Sequence, residues 1–105
     1  RGNYRVAPLF RELHPAVLDL VAQAVGAAHA RGIPVSLCGE LAADPRATAL
    51  LVGLGVDSLS MSPAYLPIVK QVLRAFTLAE ARALAEAVRA EPDPAAVDRL
   101  LAAFL

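Results

Sequence analysis

Two short apolar runs separated by one helical stretch set the strongest limit on how this chain can fold. Ile33 to Cys38 is β-prone and bounded by Gly32 and Gly39, and Val56 to Met61 is a second such run following Gly55. Their lengths and bounding residues predict two buried strands. Between them Asp44-Pro45 predicts a helix start, with Asp as N-cap and Pro at the first position. That helix runs through Leu50, Leu51 and Leu54 to Gly55. Strand, helix, strand is a βαβ unit, which requires a parallel sheet covered on both faces. Two strands alone cannot make one. An α/β fold is therefore expected in which further strands come from a longer protein or from another chain. The opening Arg1-Gly2-Asn3 has no initiator Met and no signal-type apolar region, which agrees with a truncated start.

Helices are expected on either side of this unit. Residues 1–14 carry Gly2, Asn3 and Pro8 without a clean period and read as loop. Pro15 opens a helix whose apolar face is Val17, Val21, Ala24 and Ala28, with Leu18 and Val25 beside it, and Arg31-Gly32 closes it. Residues 15–62 thus read as helix, strand, helix, strand, and residues 63–105 as C-terminal helices. Ser62-Pro63 turns into a helix with an inward face of Leu66, Val69, Val72, Leu73 and Phe76. Thr77-Leu78-Ala79-Glu80 matches a capping box, and the next face is Ala81, Leu84, Ala85 and Val88. Glu91-Pro92 ends that helix, and Asp93-Pro94 starts a last one carrying Val97, Leu100, Leu101 and Phe104.

Composition narrows the functional classes. The chain has 105 residues, enough for one small domain, and its ten basic and ten acidic residues balance. No cationic face is available for nucleic acid or an anionic membrane. The 57% apolar content is mostly Ala and Leu, and only 5% is aromatic, which suits packed helices better than a β-sandwich. The longest uncharged stretch, Ser58 to Val69, is cut by Pro63 and Pro67 and is too short to span a bilayer. One cysteine excludes an intrachain disulfide and fits a reducing cytoplasm.

In a parallel α/β architecture the reacting groups sit where strands run out into the next helix. Cys38-Gly39-Glu40 holds that position after the first strand and Ser60-Met61-Ser62-Pro63 after the second, so both loops would face one cavity. Cys38 has two readings, a small buried apolar residue or a working thiol. An ordinary thiol is mostly protonated at neutral pH, so it can donate a proton or, once ionised, attack as a nucleophile. The nucleophile reading lacks an obvious histidine. His14 reads as a helix-entry residue and His29 as a surface cap in the last turn of the first helix. Glu40 reads either as an acid/base partner or as a loop residue holding backbone amides. No metal spacing such as CxxC or HExxH occurs, and no glycine-rich phosphate loop.

The strings around these positions resemble one family. Leu37-Cys38-Gly39-Glu40-Leu41-Ala42-Ala43-Asp44-Pro45-Arg46-Ala47-Thr48 is similar to the segment around the proton-donor cysteine of Enzyme I, the phosphoenolpyruvate-protein phosphotransferases of bacterial sugar uptake. Leu54-Gly55-Val56-Asp57-Ser58-Leu59-Ser60-Met61-Ser62-Pro63 resembles that family's final barrel strand. Arg1-Gly2-Asn3-Tyr4-Arg5-Val6 and His14-Pro15-Ala16-Val17-Leu18 match the segment upstream. Pyruvate phosphate dikinase and phosphoenolpyruvate synthase share a looser Cys-Gly-Glu and form the alternative, as does a non-catalytic dimerisation module.

The resemblance implies the last two strands and closing helices of a (β/α)8 TIM barrel. It implies an enzyme that transfers the phosphoryl group of phosphoenolpyruvate to a histidine in a separate N-terminal domain, then to the carrier protein HPr, releasing pyruvate. Cys38 matches the proton donor to the enolpyruvate, and Arg1 matches an arginine that clamps the substrate. The phosphohistidine, the remaining arginines and the carboxylates that bind magnesium lie upstream in the family, so no metal ligand is expected in this chain. Ala43 stands where Gly is common. A cytoplasmic homodimer is implied. The 105-residue piece by itself is expected to complete no catalytic cycle and, with unpaired strand edges, to self-associate.

Overall fold

A computed structural model of the protein describes residues 13–104. Helix α1 spans Pro15–Ala30, with Pro15 in its first turn. His14 caps it, its Nδ1 accepting the Ala16 N–H at 3.0 Å. The helix ends by wrapping its last carbonyls: Gly32 N–H donates to His29 and Ile33 N–H to Ala28. Strand β1 (Ser36–Cys38) follows, then a single turn α2 (Glu40–Ala43), helix α3 (Thr48–Leu54) and strand β2 (Ser58–Ser60). Helix α3 ends by the same device, with Gly55 N–H on Val52 and Val56 N–H on Leu51. Gly55 stands at φ +100°, where a side chain is strained, and an added Cβ would also meet Val25 Cγ1 at 2.9 Å. A 3-10 turn (Pro63–Tyr65) leads into α4 (Leu66–Leu73), α5 (Leu78–Arg89) and α6 (Pro94–Phe104).

The two strands pair in parallel, with Ser36 opposite Ser58, Leu37 opposite Leu59 and Cys38 opposite Ser60. The βαβ unit is therefore present, but its strands are shorter than the apolar runs that announce them. Pro34 has no N–H to pair, and Ile33 stays 54% exposed ahead of the strand. Nor are the strands buried on both faces. Leu37 and Leu59 pack on the helices, against Val25, Leu41, Leu51 and Val56, while Ser36, Cys38, Ser58 and Ser60 form an exposed opposite face. The result is a two-stranded sheet with helices on one side, compatible with part of an α/β domain.

Several helix boundaries and faces also depart from expectation. Asp44-Pro45 does not open α3. Asp44 instead accepts the Arg46 N–H at 2.9 Å in a turn, and the helix starts at Thr48. In α1 the buried line is Leu18 and Val25, with Val21 partly covered, whereas Val17 and Ala24 face out. The face is rotated by about one position because α3 and α5 meet the helix from that side. In α4 only Val69 is buried; Leu66 and Leu73 are exposed, and Phe76 lies beyond the helix, edge-on to Phe104 with ring centres 6.0 Å apart.

The helical core agrees with the sequence pattern. Ala81, Leu84, Ala85 and Val88 of α5 are all buried, as are Val97 and Leu101 of α6. They close over Leu18, Ala49 and Leu50. Helices α3 and α5 approach closely at Gly53 of α3, where a Cβ would fall 2.0 Å from the Ala81 carbonyl oxygen. Only a hydrogen fits there.

Candidate active site

The C-terminal ends of β1 and β2 open on one cavity of about 730 Å³. Cys38, Gly39 and Glu40 enter it from the first strand, and Ser60, Met61, Ser62 and Tyr65 from the second. Both loops expected to share a cavity do share one. The reason is local. Gly39 takes φ +96°, a value that turns the chain sharply out of β1 and into α2. That turn leaves Cys38 exposed as a free thiol at the strand end, so its reading as a small buried residue is overturned. Glu40 is not in a loop but opens α2, which touches both strands.

The rear wall of the cavity comes from Ala43, Asp44 and Pro45. Asp44 is engaged bidentately by Arg46, with Nε on Oδ1 at 3.2 Å and Nη2 on Oδ2 at 2.8 Å. Burial pushes the Asp44 carboxyl up, but the Arg46 side-chain hydrogen bonds, its backbone N–H and its charge together outweigh burial and hold it below the ordinary value. Asp44 is thus an ionised, already satisfied carboxylate that fixes the turn behind the thiol. Arg46 is correspondingly pushed up, chiefly by its hydrogen bonds to Asp44.

At the other end of the strands lies a pairing that sequence reading missed. His29 Nε2 stands 2.7 Å from Asp57 Oδ2, and the same oxygen accepts the Val35 N–H at 2.7 Å. The Val35 carbonyl in turn accepts the Asp57 N–H at 2.9 Å. His29 is therefore not a simple helix cap. It ties the end of α1 to the start of β2 and to the residue preceding β1. Nothing in the spacing of positions 29 and 57 signals this, because only the parallel crossover brings them together.

The family model described as PEP-utilising enzyme, PEP-binding domain, matches residues 1–78. The phosphoenolpyruvate-protein phosphotransferase of Haemophilus influenzae is 41% identical over 105 residues, all of this chain and 18% of that protein. That of Cupriavidus necator is 52% identical over 71 residues, 68% of this chain and 12% of that protein. The multiphosphoryl transfer protein of Escherichia coli O6:H1 is 41% identical over 104 residues, 99% of this chain and 12% of that protein. The chain belongs to the PEP-utilising enzymes, as part of their PEP-binding domain. It spans less than a fifth of the length of these relatives.

Of the two site residues expected from the family resemblance, Cys38 lines the cavity and Arg1 lies outside the described residues. Magnesium, which the same resemblance implies, has no ready cradle: among the described residues no three His, Cys, Asp or Glu side chains group together. Those residues do not fit the ion on their own. Among the described residues no helix is long and apolar enough to cross a membrane.

Proposed function

We propose that this chain is the C-terminal part of the PEP-binding domain of an Enzyme I-type phosphotransferase. In that reading the parent protein passes the phosphoryl group of phosphoenolpyruvate to its own histidine and then to HPr, and Cys38 protonates the enolpyruvate left behind. The observation that carries this is the position of Cys38: an exposed thiol at the C-terminal end of a parallel strand, facing a cavity shared with the next strand end. The phosphotransferase names of the relatives favour this reading over a dikinase or synthase.

The chemistry asks little of these residues. Enolpyruvate needs one proton on its methylene carbon, and a neutral thiol held at the cavity wall can supply it. Asp44, neutralised by Arg46, holds the wall without presenting a free charge to an anionic substrate. Arg1 is proposed as a guanidinium clamp on that substrate, since its planar fork suits a carboxylate or phosphate. The magnesium ligands are proposed to lie outside the described residues.

The architecture we propose is the end of a (β/α)8 barrel in a cytoplasmic homodimer. The one-sided sheet supports it, because the polar face of Ser36, Cys38, Ser58 and Ser60 is what a barrel lumen near an active site would present. Exposed Leu20, Leu66, Ile68 and Leu78 would be covered by the rest of the barrel or by a second subunit.

The test is Cys38→Ala in the full-length parent. Pyruvate formation from phosphoenolpyruvate should fall by about 10²–10⁴-fold, the usual loss on removing a general acid. Phosphoryl transfer back from phosphorylated HPr to the histidine should persist, because it involves no enolpyruvate. Undiminished pyruvate formation would sink the assignment.

A further inference from the structure

The parallel register puts one hydroxyl directly beside the thiol. Cys38 and Ser60 are partners across the strand pair, at the usual interstrand spacing of about 4.8 Å. Side chains at paired positions of a sheet point to the same face, and both residues are exposed on the face away from the helices. Both also line the same cavity. The flanking partners Leu37 and Leu59 are anchored in the apolar cluster beneath the sheet, which fixes the register and so the juxtaposition.

The geometry points to Ser60 as the group that stabilises the Cys38 thiolate when the thiol gives up its proton. This rests on the proposed role of Cys38 as proton donor. In that step the Sγ–H bond breaks and a C–H bond forms on the methylene carbon of the enolate, using its double-bond electrons. The enolate becomes a ketone, and its negative charge passes to Sγ. A hydroxyl beside the sulfur can then rotate to donate a hydrogen bond to the thiolate, lowering the cost of the charge just where it arrives. Ser62 and Tyr65 also line the cavity, but neither is paired with Cys38 across the strands. Ser62 lies two residues further on, where its carbonyl holds the Tyr65 N–H at 3.0 Å.

Other titratable groups share the surroundings. Glu40 from α2 and Tyr65 from the 3-10 turn line the cavity, and Asp44 lines it from the α2–α3 turn with its charge matched by Arg46. The uncharged Ser60 hydroxyl, paired with Cys38 across the strands, brings no further negative charge to the sulfur and can donate to the thiolate.

The experiment is the pH profile of Cys38 alkylation by iodoacetamide in the full-length parent, read by peptide mass mapping at Cys38. Only the thiolate reacts, so the profile reports the population of that form. Ser60→Ala should slow alkylation at pH 7 by about tenfold while leaving the limiting rate at high pH unchanged. Ser60→Thr, which keeps the hydroxyl, should restore most of the rate. Superimposable profiles for wild type and Ser60→Ala would overturn the inference. So would an equal loss at every pH, which would mean altered access rather than altered charge. Pyruvate formation by Cys38→Ala separates the two readings: if undiminished, the proton-donor role fails, and a shifted alkylation profile would still establish the Ser60–Cys38 pair.

Discussion

The helical side of the molecule and its sheet are built to opposite standards. Around Gly53 the helices α3 and α5 approach so closely that one methyl group would strike backbone, and the surrounding Leu50, Leu84, Val88 and Val97 are all buried. The sheet has two three-residue strands, one apolar face and one face open to solvent. The contrast locates the work of each part. Packing energy is concentrated in the helices, which hold a thin, polar sheet edge where the cavity opens. An open, thinly packed strand end leaves room for the role proposed for Cys38, which a close-packed one would not.

The largest expected effect tests the tight half. Gly53→Ala would gain about 1 kcal/mol of helix propensity but force the Ala81 carbonyl to move. Overpacking at about 3 kcal/mol wins, so the substitution should destabilise. Hydrogen exchange in the full-length protein should show faster exchange in α3 and α5 than elsewhere. Unchanged protection there would mean that the two helices are less closely fixed than the contact implies.

A smaller effect tests how α5 enters that core. Thr77 Oγ1 accepts the Glu80 N–H at 3.1 Å, and Glu80 Oε1 accepts the Thr77 N–H at 3.0 Å, a reciprocal cap. Thr77→Ala should cost about 1 kcal/mol, visible as faster exchange in the first turn of α5. Thr77→Ser should restore it. Loss spread evenly over the sheet as well would break the distinction between the two regions.

The smallest effect tests what ties the sheet to the helices. Asp57 is held below the ordinary carboxylate value, first by its hydrogen bond to His29 and second by the Val35 N–H. A depressed folded-state value means that the contribution is present above the unfolded carboxylate value of about 3.9 and is lost as pH falls through the lower folded one. Asp57→Asn should therefore lower protection of β1 and β2 at pH 5, and the gap from wild type should narrow by pH 3. Because Asp57 is exposed, added salt should shrink the gap further. A gap that stays constant across this range would assign the tie to shape rather than charge.

Local signals were enough for much of this. The capping box at Thr77, the prolines at positions 15 and 94, and the α5 face of Ala81, Leu84, Ala85 and Val88 each depend on neighbours within a turn or two, and each lies where the pattern places it. Apart from the single turn α2, which no pattern announced, the order of helices and strands follows from the same short-range rules, as does the position of Cys38 at a strand end. Asp44-Pro45 failed for an equally local reason: the Asp44 carboxylate closed a turn on Arg46 before a helix could begin.

What sequence could not supply was anything set by groups far apart in the chain. The face that α1 buries, the exposure of one side of the sheet, the His29–Asp57 tie and the alignment of Cys38 with Ser60 are all decided by which elements meet. Periodicity says that a helix has an apolar stripe, but the neighbour's position selects the line that is covered. A strand's alternation says that two faces differ, but the register alone sets which hydroxyl stands beside the thiol.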